Sequence, residues 1–503
     1  MSVSRTSRLI LSLFVLLSLV LASCAGGGDT QATATSGVPG TGQTMEAPTM
    51  PAETEPPAAT DVMEPTEAAT EAVETEMPEA GETPMATEPA GGTDTGGWVG
   101  EQIGGTVSVL AIWGGSEQDA FMAMLEPFTE QTGIEVQYEG TRDLGAVLNT
   151  RISGGAPPDV AGLPNPGQMI ELARAGSLQP LDDVLDMNMM NEQYDAGFVE
   201  LTQVDGQTYG IFTKAAVKSL VWYNPKAMDA AGYTIPTTWE EMQALEDQII
   251  ADGKTPWCIG VDGGGGSGWP ATDWVEDILL HQAGPEVYDQ WVNHEIPWTD
   301  PAIRQAFETF GEFVHDDTMV FGGPQTVIAT NFGQAFNPMF EEDPGCYLFK
   351  QANFITTFFT DQFPDLVAGE DYNFFVFPTI EESAGQPLLV AGDLFGMFND
   401  TPQARALMQY LVTTDAHEIW AARGGFLSAN RTLDPSVYPD QITQQIGQML
   451  AEATAVRFDA SDLMPEGVNS VFSTQVLQFP GSPDTIDTVL QTIENQAAES
   501  YQE

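Results

Sequence analysis

The amino-acid sequence predicts an α/β fold built on a parallel sheet, and two observations carry that prediction. Between residues 104 and 163, short apolar runs rich in β-branched residues alternate with amphipathic stretches of about 10–15 residues. The 503-residue chain is 42% hydrophobic and 9% aromatic, which suffices for large cores in about two to four folded units. This composition excludes a multi-spanning membrane protein.

The predicted elements follow one another in a regular order. They are a strand over Thr106–Ile112, a helix over Glu117–Gln131, a strand over Gly133–Tyr138, a helix over Asp143–Ser153 and a strand over Asp159–Leu163. In open parallel sheets, ligands bind outside the carboxyl ends of the strands. The first candidate ligand-binding residues are therefore those that follow each strand: Trp113, Glu117, Arg142, Asp143 and Asn165.

The middle of the chain supplies a capped helix and a cluster of aromatic residues. Thr238 and Glu241 have capping-box spacing at the start of a predicted helix over 237–251. The glycine run 263–266 is not followed by Gly-Lys-Ser/Thr, so no nucleotide site is expected there. Four tryptophans follow within 30 residues, some of them flanked by glycine and proline as in binding loops: Trp269, Trp274, Trp291 and Trp298.

The charge balance excludes further classes of protein. Lys and Arg together number 15 against 73 Asp and Glu, which gives a formal net charge of −58. Such a charge repels nucleic-acid backbones and anionic lipid surfaces. We therefore expect no nucleic-acid partner and no membrane binding through charge.

The N-terminus predicts an exported, lipid-anchored protein. Arg5 and Arg8 precede an apolar run over residues 9–21, and about 13 residues is the length of a signal-peptide core rather than of a membrane span. The following Leu-Ala-Ser-Cys24 resembles the lipobox of bacterial lipoproteins. We predict a signal peptide over residues 1–23 and lipid on Cys24, which would hold the protein at the outer face of the cytoplasmic membrane. The alternative is an ordinary cleaved signal with an incidental cysteine.

Residues 24–100 predict a disordered, acidic tether. Residues 29–97 consist mainly of Ala, Thr, Glu, Pro, Gly and Met, with 14 acidic residues and no Lys or Arg. Such a segment buries too little apolar surface to offset its conformational entropy. Its prolines and like charges extend it away from the lipid anchor.

Two cysteines remain once Cys24 is assigned to lipid. Cys258 and Cys346 form an even pair in an exported protein, the setting in which disulfides persist, and we predict that they are bonded. Two separate buried thiols are the alternative. Neither cysteine shows metal-ligand spacing with the four histidines, so no metal or cofactor is expected: His281, His294, His315 and His417.

Several motifs in order along residues 104–503 resemble one family. They include Gly140-Thr-Arg-Asp143, Pro157-Pro-Asp-Val160, Trp222-Tyr-Asn-Pro225, Trp257-Cys-Ile-Gly-Val-Asp262, Ser267-Gly-Trp-Pro-Ala-Thr-Asp-Trp-Val-Glu-Asp277, Phe336-Asn-Pro-Met-Phe340, Gly392-Asp-Leu394 and Arg423-Gly-Gly-Phe426. The chain resembles the extracellular solute-binding proteins of bacterial carbohydrate ABC transporters, of the α-glucoside-binding type, in the family that includes maltose-binding protein.

The resemblance implies a two-lobed fold of the periplasmic-binding-protein type, with the ligand in a cleft between the lobes. Lobe one would comprise 104–212 and 377–423, and lobe two 213–376 and 424–503. It also implies a monomeric, non-enzymatic receptor that captures a mono- or oligosaccharide and delivers it to an ABC permease. The lobes would close over the sugar by a hinge motion.

A sugar needs charged or amide partners for its hydroxyl groups and flat aromatic surfaces for its C–H faces. The candidate acceptors are Glu117, Asp143, Asp159, Asp273 and Asp393, with Arg142 as a donor. The candidate stacking surfaces are Trp113, Trp222, Trp269, Trp274 and Phe426, and Gly425 permits a close backbone approach. We expect Lys214 to pair with one of the acids.

Two other classes of protein remain open at this stage. A secreted glycoside hydrolase would need two carboxylates about 5–10 Å apart, and acids are abundant, but no local motif identifies a general acid. A receptor for a cation such as a polyamine would suit the acidic excess and the aromatic residues.

Overall fold

The computed structural model describes residues 99–264, 267–453 and 455–502. The predicted signal peptide, Cys24 and the tether up to residue 98 lie outside the described residues. Among the described residues we find no helix that combines the length and the apolar character needed to cross a membrane.

Two sheets of seven and three strands organise the described residues, and a short hairpin accompanies them. The strands are β1 (Thr106–Ala111), β2 (Glu135–Gly140), β3 (Val160–Leu163), β4 (Gln203–Val204), β5 (Gln207–Thr208), β6 (Gly210–Val217), β7 (Leu220–Tyr223), β8 (Leu348–Lys350), β9 (Asn373–Val376), β10 (Leu388–Met397), β11 (Leu427–Ser428) and β12 (Val456–Phe458).

The seven-stranded sheet has the order β11-β6-β10-β3-β1-β2, with β12 paired to β10. Strands β1, β2 and β3 are parallel, as the alternation of strands and helices predicts. Strand β10 runs antiparallel to both β3 and β6, so the sheet as a whole is mixed. The register of β6 against β10 shifts between Asp393 and Leu394, an irregularity of the kind that redirects side chains near binding sites.

The three-stranded sheet has the order β8-β7-β9 and follows directly from β6 along the chain. Its central strand β7 alternates between two cores, as the two-residue period of a strand requires. Trp222 packs on one side with Phe359, whereas Val221 and Tyr223 belong to the other hydrophobic cluster. The first cluster surrounds the seven-stranded sheet, and the second surrounds helices rich in Trp and Phe.

Helices cover these sheets. The α-helices are α1 (Ser116–Met124), α2 (Glu126–Thr132), α3 (Leu144–Ser153), α4 (Pro166–Arg174), α5 (Met187–Gln193), α6 (Ala196–Leu201), α7 (Pro225–Ala231), α8 (Trp239–Ala251), α9 (Trp269–Ala283), α10 (Pro285–Val292), α11 (Pro301–Val314), α12 (Pro324–Ala329), α13 (Ile355–Gln362), α14 (Pro402–Leu411), α15 (Thr414–Ala421), α16 (Gln441–Glu452), α17 (Ala460–Leu463), α18 (Glu466–Gln475) and α19 (Ile486–Ser500). Short 3₁₀ helices span Asn337–Phe340, Glu382–Ala384, Pro435–Val437, Val476–Gln478 and Pro483–Thr485.

The predicted first helix is divided into α1 and α2 at Leu125. Pro127 lies in the first turn of α2, where its missing N–H costs nothing, but the same proline would break a continuous helix. The predicted cap of α8 is confirmed, because the Thr238 side chain accepts a hydrogen bond from the backbone N–H of Glu241. The Glu241 carboxylate accepts hydrogen bonds from Thr237 instead of returning to Thr238.

The predicted disulfide between Cys258 and Cys346 is confirmed, with the two Cα atoms 5.5 Å apart. Both cysteines are buried. The bond joins positions 88 residues apart in the sequence. It ties the turn before the glycine run 263–264 to the segment that leads into β8.

Candidate functional site

A cavity of about 530 Å³ lies at the carboxyl ends of β1, β2 and β3. This volume falls in the range typical of small-molecule sites. The turns after these strands form one wall, and β6 and β10 form the floor. Gly263, Gly264, Ser267 and Trp269, together with α17 and α18, form the opposite wall. Its lining includes Trp113, Glu117, Arg142, Asp143, Asn165, Lys214, Lys218, Gly263, Trp269, Phe354, Asp393, Asp459, Asp462, Glu466, Asn469, Ser470, Ser473 and Thr474.

Glu117 in the first turn of α1 is held by two cations. Lys214 Nζ lies 2.8 Å from Glu117 Oε1, and an Arg142 guanidinium nitrogen lies 3.0 Å from Glu117 Oε2. Burial would raise the pKa of Glu117, but Lys214 and Arg142 together hold it below its usual value. Both carboxylate oxygens of Glu117 are thus engaged within the protein.

Asp393 on β10 is the second acid of the cavity floor. The indole N–H of Trp113 donates a hydrogen bond of 3.3 Å to Asp393 Oδ2. Burial raises the pKa of Asp393, and the nearby Lys214 offsets part of that rise. Within the described residues, Asp393 Oδ1 has no hydrogen-bond partner in the protein, so it is open to a hydroxyl donor in the cavity.

Aromatic rings surround the Lys214 ammonium. Its Nζ lies 5.0 Å from the ring centroid of Trp420, 5.6 Å from that of Phe354 and 5.8 Å from that of Trp113. These distances are in the range of cation–π attraction. Lys214 is only 3% exposed.

A second buried ionic cluster is centred on Lys218, the residue directly after β6. The Lys218 ammonium contacts Asp459 and lies 2.7 Å from Asp273 Oδ1. Burial raises the pKa of Asp273 to about 7, although Lys218 opposes the rise. Burial would also raise the pKa of Asp459, yet Lys218 holds it below its usual value, so Asp459 carries the charge that pairs with Lys218.

The same cluster contains the one group of residues, within the described part of the chain, whose carboxylates are close enough to share a metal ion: Asp273, Glu276 and Asp459. Lys218 contacts two of these acids directly. Glu276 accepts hydrogen bonds from the backbone N–H groups of Ala460 and Ser461. The Lys218 ammonium therefore already pairs with two of the three acids that could hold a metal ion.

The sequence pattern of the bacterial extracellular solute-binding protein family matches residues 114–418. The chain belongs to this family. The osmoprotective compounds-binding protein GgtB of Synechocystis sp. is 44% identical over 77% of this chain and 91% of its own length. The alpha-glucosides-binding periplasmic protein AglE of Rhizobium meliloti is 40% identical over 76% of this chain and 85% of its own length.

The fold agrees with this assignment. The crystal structure of the bacterial solute receptor AcbH superposes with a TM-score of 0.67, at 20% sequence identity, over 79% of this chain and 99% of that chain. The predicted two-lobed fold of the periplasmic-binding-protein type is thereby confirmed. These relatives are solute-binding proteins rather than enzymes, and the glycoside hydrolase alternative is excluded.

Seven of the predicted site residues of this solute-binding protein line the cavity. They are Trp113, Glu117, Arg142, Asp143, Asn165, Trp269 and Asp393. Trp269 is partly exposed and approaches the loop backbone so closely that a Cβ on Gly263 would lie 2.3 Å from its ring. The absence of a side chain at Gly263 thus makes room for the indole.

Asp159 and Trp222 lie away from the cavity. Asp159 stands at the opposite, amino-terminal edge of β3, where it accepts two hydrogen bonds of 2.8 Å from Ser108. Trp222 is fully buried in β7, and its indole N–H donates to the backbone carbonyl of Gln351. Each side chain already has its partners within the fold and neither lines the cavity, so their contact with ligand stays a prediction.

The other predicted residues outside the cavity lining stand behind it. Trp274 is 3% exposed and packs against Trp257 and Phe313. Phe426 is buried and stacks on Trp420, so it supports the rings around Lys214. Asp273 pairs with Lys218, and at Gly425 a Cβ would lie 1.9 Å from the Thr357 hydroxyl oxygen, so both positions already have close neighbours within the fold.

Sequence reasoning missed the wall formed by α17 and α18. Asp459 follows the short strand β12, and Asp462 accepts a hydrogen bond of 2.8 Å from the side-chain amide of Asn165. A signal was present, because Asp459-Ala-Ser-Asp462 is a strand-to-helix turn whose first aspartate caps the helix. The same rule that selected Trp113 and Asn165 would have selected Asp459.

Proposed function

We propose that this solute-binding protein is an extracytoplasmic receptor that captures a short saccharide, with α-glucosides as the first class to test, and delivers it intact to an ABC permease. The observation that carries the proposal is the floor of the cavity. The open oxygen of Asp393 lies there, and the guanidinium of Arg142 and the indole of Trp269 line the walls of the same cavity. Charged partners for hydroxyl groups and a flat apolar surface are what a pyranose ring requires.

The named relatives support a carbohydrate ligand. AglE is described as binding alpha-glucosides, and AcbH as preferring β-D-galactopyranose. GgtB is described as binding osmoprotective compounds, which leaves the class wider than α-glucosides. A panel of sugars is therefore a better first test than any single one.

The charge balance of the floor favours a neutral ligand over a cation. Glu117 is paired with Lys214 and Arg142, and Asp459 is paired with Lys218. These pairs neutralise two of the carboxylates that a polyamine would need.

The division into lobes is part of the proposal. Lobe one would comprise 104–212 and 377–423, and lobe two 213–376 and 424–503. The direct passage from β6 to β7 supports a crossing near residue 213–220, because it links the seven-stranded sheet to the three-stranded sheet. Closure around these crossings would bring α17 and α18 toward the turns after β1, β2 and β3.

A monomeric receptor with lipid on Cys24 and a tether over residues 24–100 completes the proposal. The lipobox-like Leu-Ala-Ser-Cys24 and the acidic composition of the segment support it. Metabolic labelling with a radioactive fatty acid tests the anchor. The wild-type chain should be labelled and remain with the membrane fraction, and Cys24→Ser should lose both properties. Equal labelling of the two chains would contradict the anchor.

A thermal-shift panel tests the ligand class. Maltose, trehalose, sucrose, galactose and spermidine would each be added to the full chain. A ligand at about 100 times its dissociation constant adds about 2.7 kcal/mol to the free energy of unfolding, which raises the melting temperature. We expect at least one α-linked glucoside to raise it and spermidine to leave it unchanged. A shift with spermidine alone would overturn the proposal in favour of a cationic ligand.

A further inference from the structure

Most of the lysines of this chain are buried. The sequence contains five lysines, and three of them are among the buried residues: Lys214, Lys218 and Lys350. An ammonium inside a protein loses its hydration, so it persists there only with partners that compensate. Lys214 lies opposite Asp393 on the cavity floor, and its ion-pair partner Glu117 also binds Arg142.

Lys214 is enclosed by groups of the protein. Its ammonium contacts Glu117, and the rings of Trp113, Phe354 and Trp420 lie within 5.8 Å of Nζ. Three separate segments of the chain supply these groups: the turn from β1 into α1 carries Trp113 and Glu117, Phe354 precedes α13, and Trp420 lies on α15. This enclosure leaves Lys214 poorly placed to bind a ligand itself.

Glu117 connects Lys214 to Arg142 through its two carboxylate oxygens. One oxygen of Glu117 accepts from Lys214 and the other from Arg142, so the carboxylate bridges the two cations. The Arg142 side chain is 38% exposed, and its guanidinium also lies 5.9 Å from the ring centroid of Phe332. Arg142 is therefore held at one end by Glu117 and presents its remaining N–H groups toward the cavity.

We propose that Lys214 is a positioning residue for ligand binding: it holds Glu117 in place, Glu117 fixes Arg142, and the hydroxyl groups of the ligand meet Arg142 and Asp393. The inference rests on the proposed saccharide-binding function and assigns roles within that site. Glu117 changes from a predicted ligand contact to a support. Asp393 is the acid that accepts hydrogen bonds from the ligand.

A double-mutant cycle tests this assignment. Isothermal titration calorimetry would be performed on the full chain with maltose, trehalose and sucrose. Lys214→Met keeps an apolar side chain of similar length between the rings but removes the ammonium, and Glu117→Gln removes the bridging charge. We expect each single variant to weaken binding at least tenfold. The double variant should bind within about threefold of the weaker single variant, because both changes break the same support.

The pH dependence of ligand affinity distinguishes a positioning role of Lys214 from a purely structural one, because a purely structural role would not change it. Asp393 accepts a hydrogen bond from Trp113 and lies opposite Lys214 on β6. The other charged groups near it are Glu117 on α1, Arg142 before α3 and Asp462 on α17. Lys214 lowers the pKa of Asp393, so its removal lets Asp393 gain a proton at higher pH. Binding by Lys214→Met should therefore weaken on acidification at a higher pH than binding by the wild-type chain.

Control variants separate the outcomes. Lys226→Met, at an exposed lysine paired with Asp371, should bind like the wild type, and Lys214→Arg should recover part of the affinity. If Lys214→Met does not fold, the double variant is compared with Glu117→Gln alone, where equal affinity supports the inference and a further tenfold loss overturns it. Unchanged binding by Lys214→Met, or losses that multiply in the double variant, also overturn it. A wild-type chain that binds none of the three sugars would instead contradict the proposed function.

Discussion

Lys214 and Asp393 are directly opposite each other on the antiparallel strands β6 and β10, at the point where the register of the pair shifts. Opposed residues of an antiparallel pair project to the same face, so the two side chains reach the same cavity. The Lys214 ammonium contacts Glu117 and lies near the aromatic rings. Asp393 accepts a hydrogen bond from Trp113 at Oδ2, and Oδ1 has no partner among the described residues. The two strands thus place one internal support and one ligand-facing acid side by side.

Trp269 and Trp274 lie on the same helix but differ in burial, which gives a matched pair of substitutions. Trp269→Ala should weaken saccharide binding at least tenfold, because its partly exposed indole lines the cavity. Trp274→Ala should instead cost about 3–5 kcal/mol of unfolding free energy, since it empties a core position. Calorimetric titration and denaturant unfolding would be compared for both variants. Equal loss of affinity from both would contradict the assignment of Trp274 to the core.

Asp393 and Asp159 form a second matched pair of acids. Asp393→Asn should reduce affinity by roughly 10- to 100-fold, because hydrogen bonds to a charged acceptor contribute about 1.5–3 kcal/mol. Asp159→Asn should leave affinity unchanged and lower stability, since Asp159 accepts hydrogen bonds from Ser108 and Asn399. The measurements are titration calorimetry and thermal unfolding. If Asp159→Asn lost binding but kept a normal melting temperature, Asp159 would be a ligand-binding residue and the assignment would be contradicted.

Glu246 on α8 makes stability depend on pH. Burial raises the pKa of Glu246 to about 7, and the hydrogen bond from Trp257 only partly opposes the rise. Between the unfolded pKa of about 4.3 and a pH of about 7, the folded chain holds more protons at this group than the unfolded chain. The contribution of Glu246 to the free energy of unfolding therefore falls by about 4 kcal/mol as the pH rises through that window.

Glu246→Gln isolates this effect, since the amide is neutral at every pH and keeps an acceptor for Trp257. The variant should be more stable than the wild type at pH 8 and show a weaker decline in stability between pH 5 and 7. Urea unfolding at several pH values measures both. Parallel stability profiles for the two chains would show that Glu246 keeps its ordinary pKa.

The disulfide should contribute measurably to stability. Closing a loop between residues 88 positions apart stabilises the folded chain by about 4 kcal/mol on the chain-entropy description. Replacing Cys258 and Cys346 together by Ala should lower the unfolding free energy by a similar amount. Treatment of the wild-type chain with a reductant should lower its melting temperature, while the double variant should not respond. A response by the variant would point to a different redox-sensitive group.

The sequence predicts one half of the cavity well for a topological reason. Strands β1, β2 and β3 are parallel, so the residues after them meet at one edge of the sheet. Trp113, Arg142 and Asn165 are brought to the cavity by that rule alone. Whether they bind ligand stays a prediction.

The other half depends on long-range packing that local patterns do not encode. The turn after β12 marks Asp459 as a candidate, but its place on the floor follows from the pairing of β12 with β10, which is distant in sequence. The burial of Trp222 follows from which face of β7 meets the cluster around Phe359. An aromatic residue before the turn that starts α7 looks equally suited to a core and to a binding surface, and only the fold distinguishes the two.

A crystal structure of the full chain grown with the sugar that gives the largest thermal shift tests the saccharide site most directly. We predict one pyranose ring against the Trp269 indole, with hydroxyl groups within hydrogen-bond distance of Asp393 Oδ1 and of the Arg142 guanidinium. Electron density for the sugar at any other surface, with this cavity holding only solvent, would contradict the account.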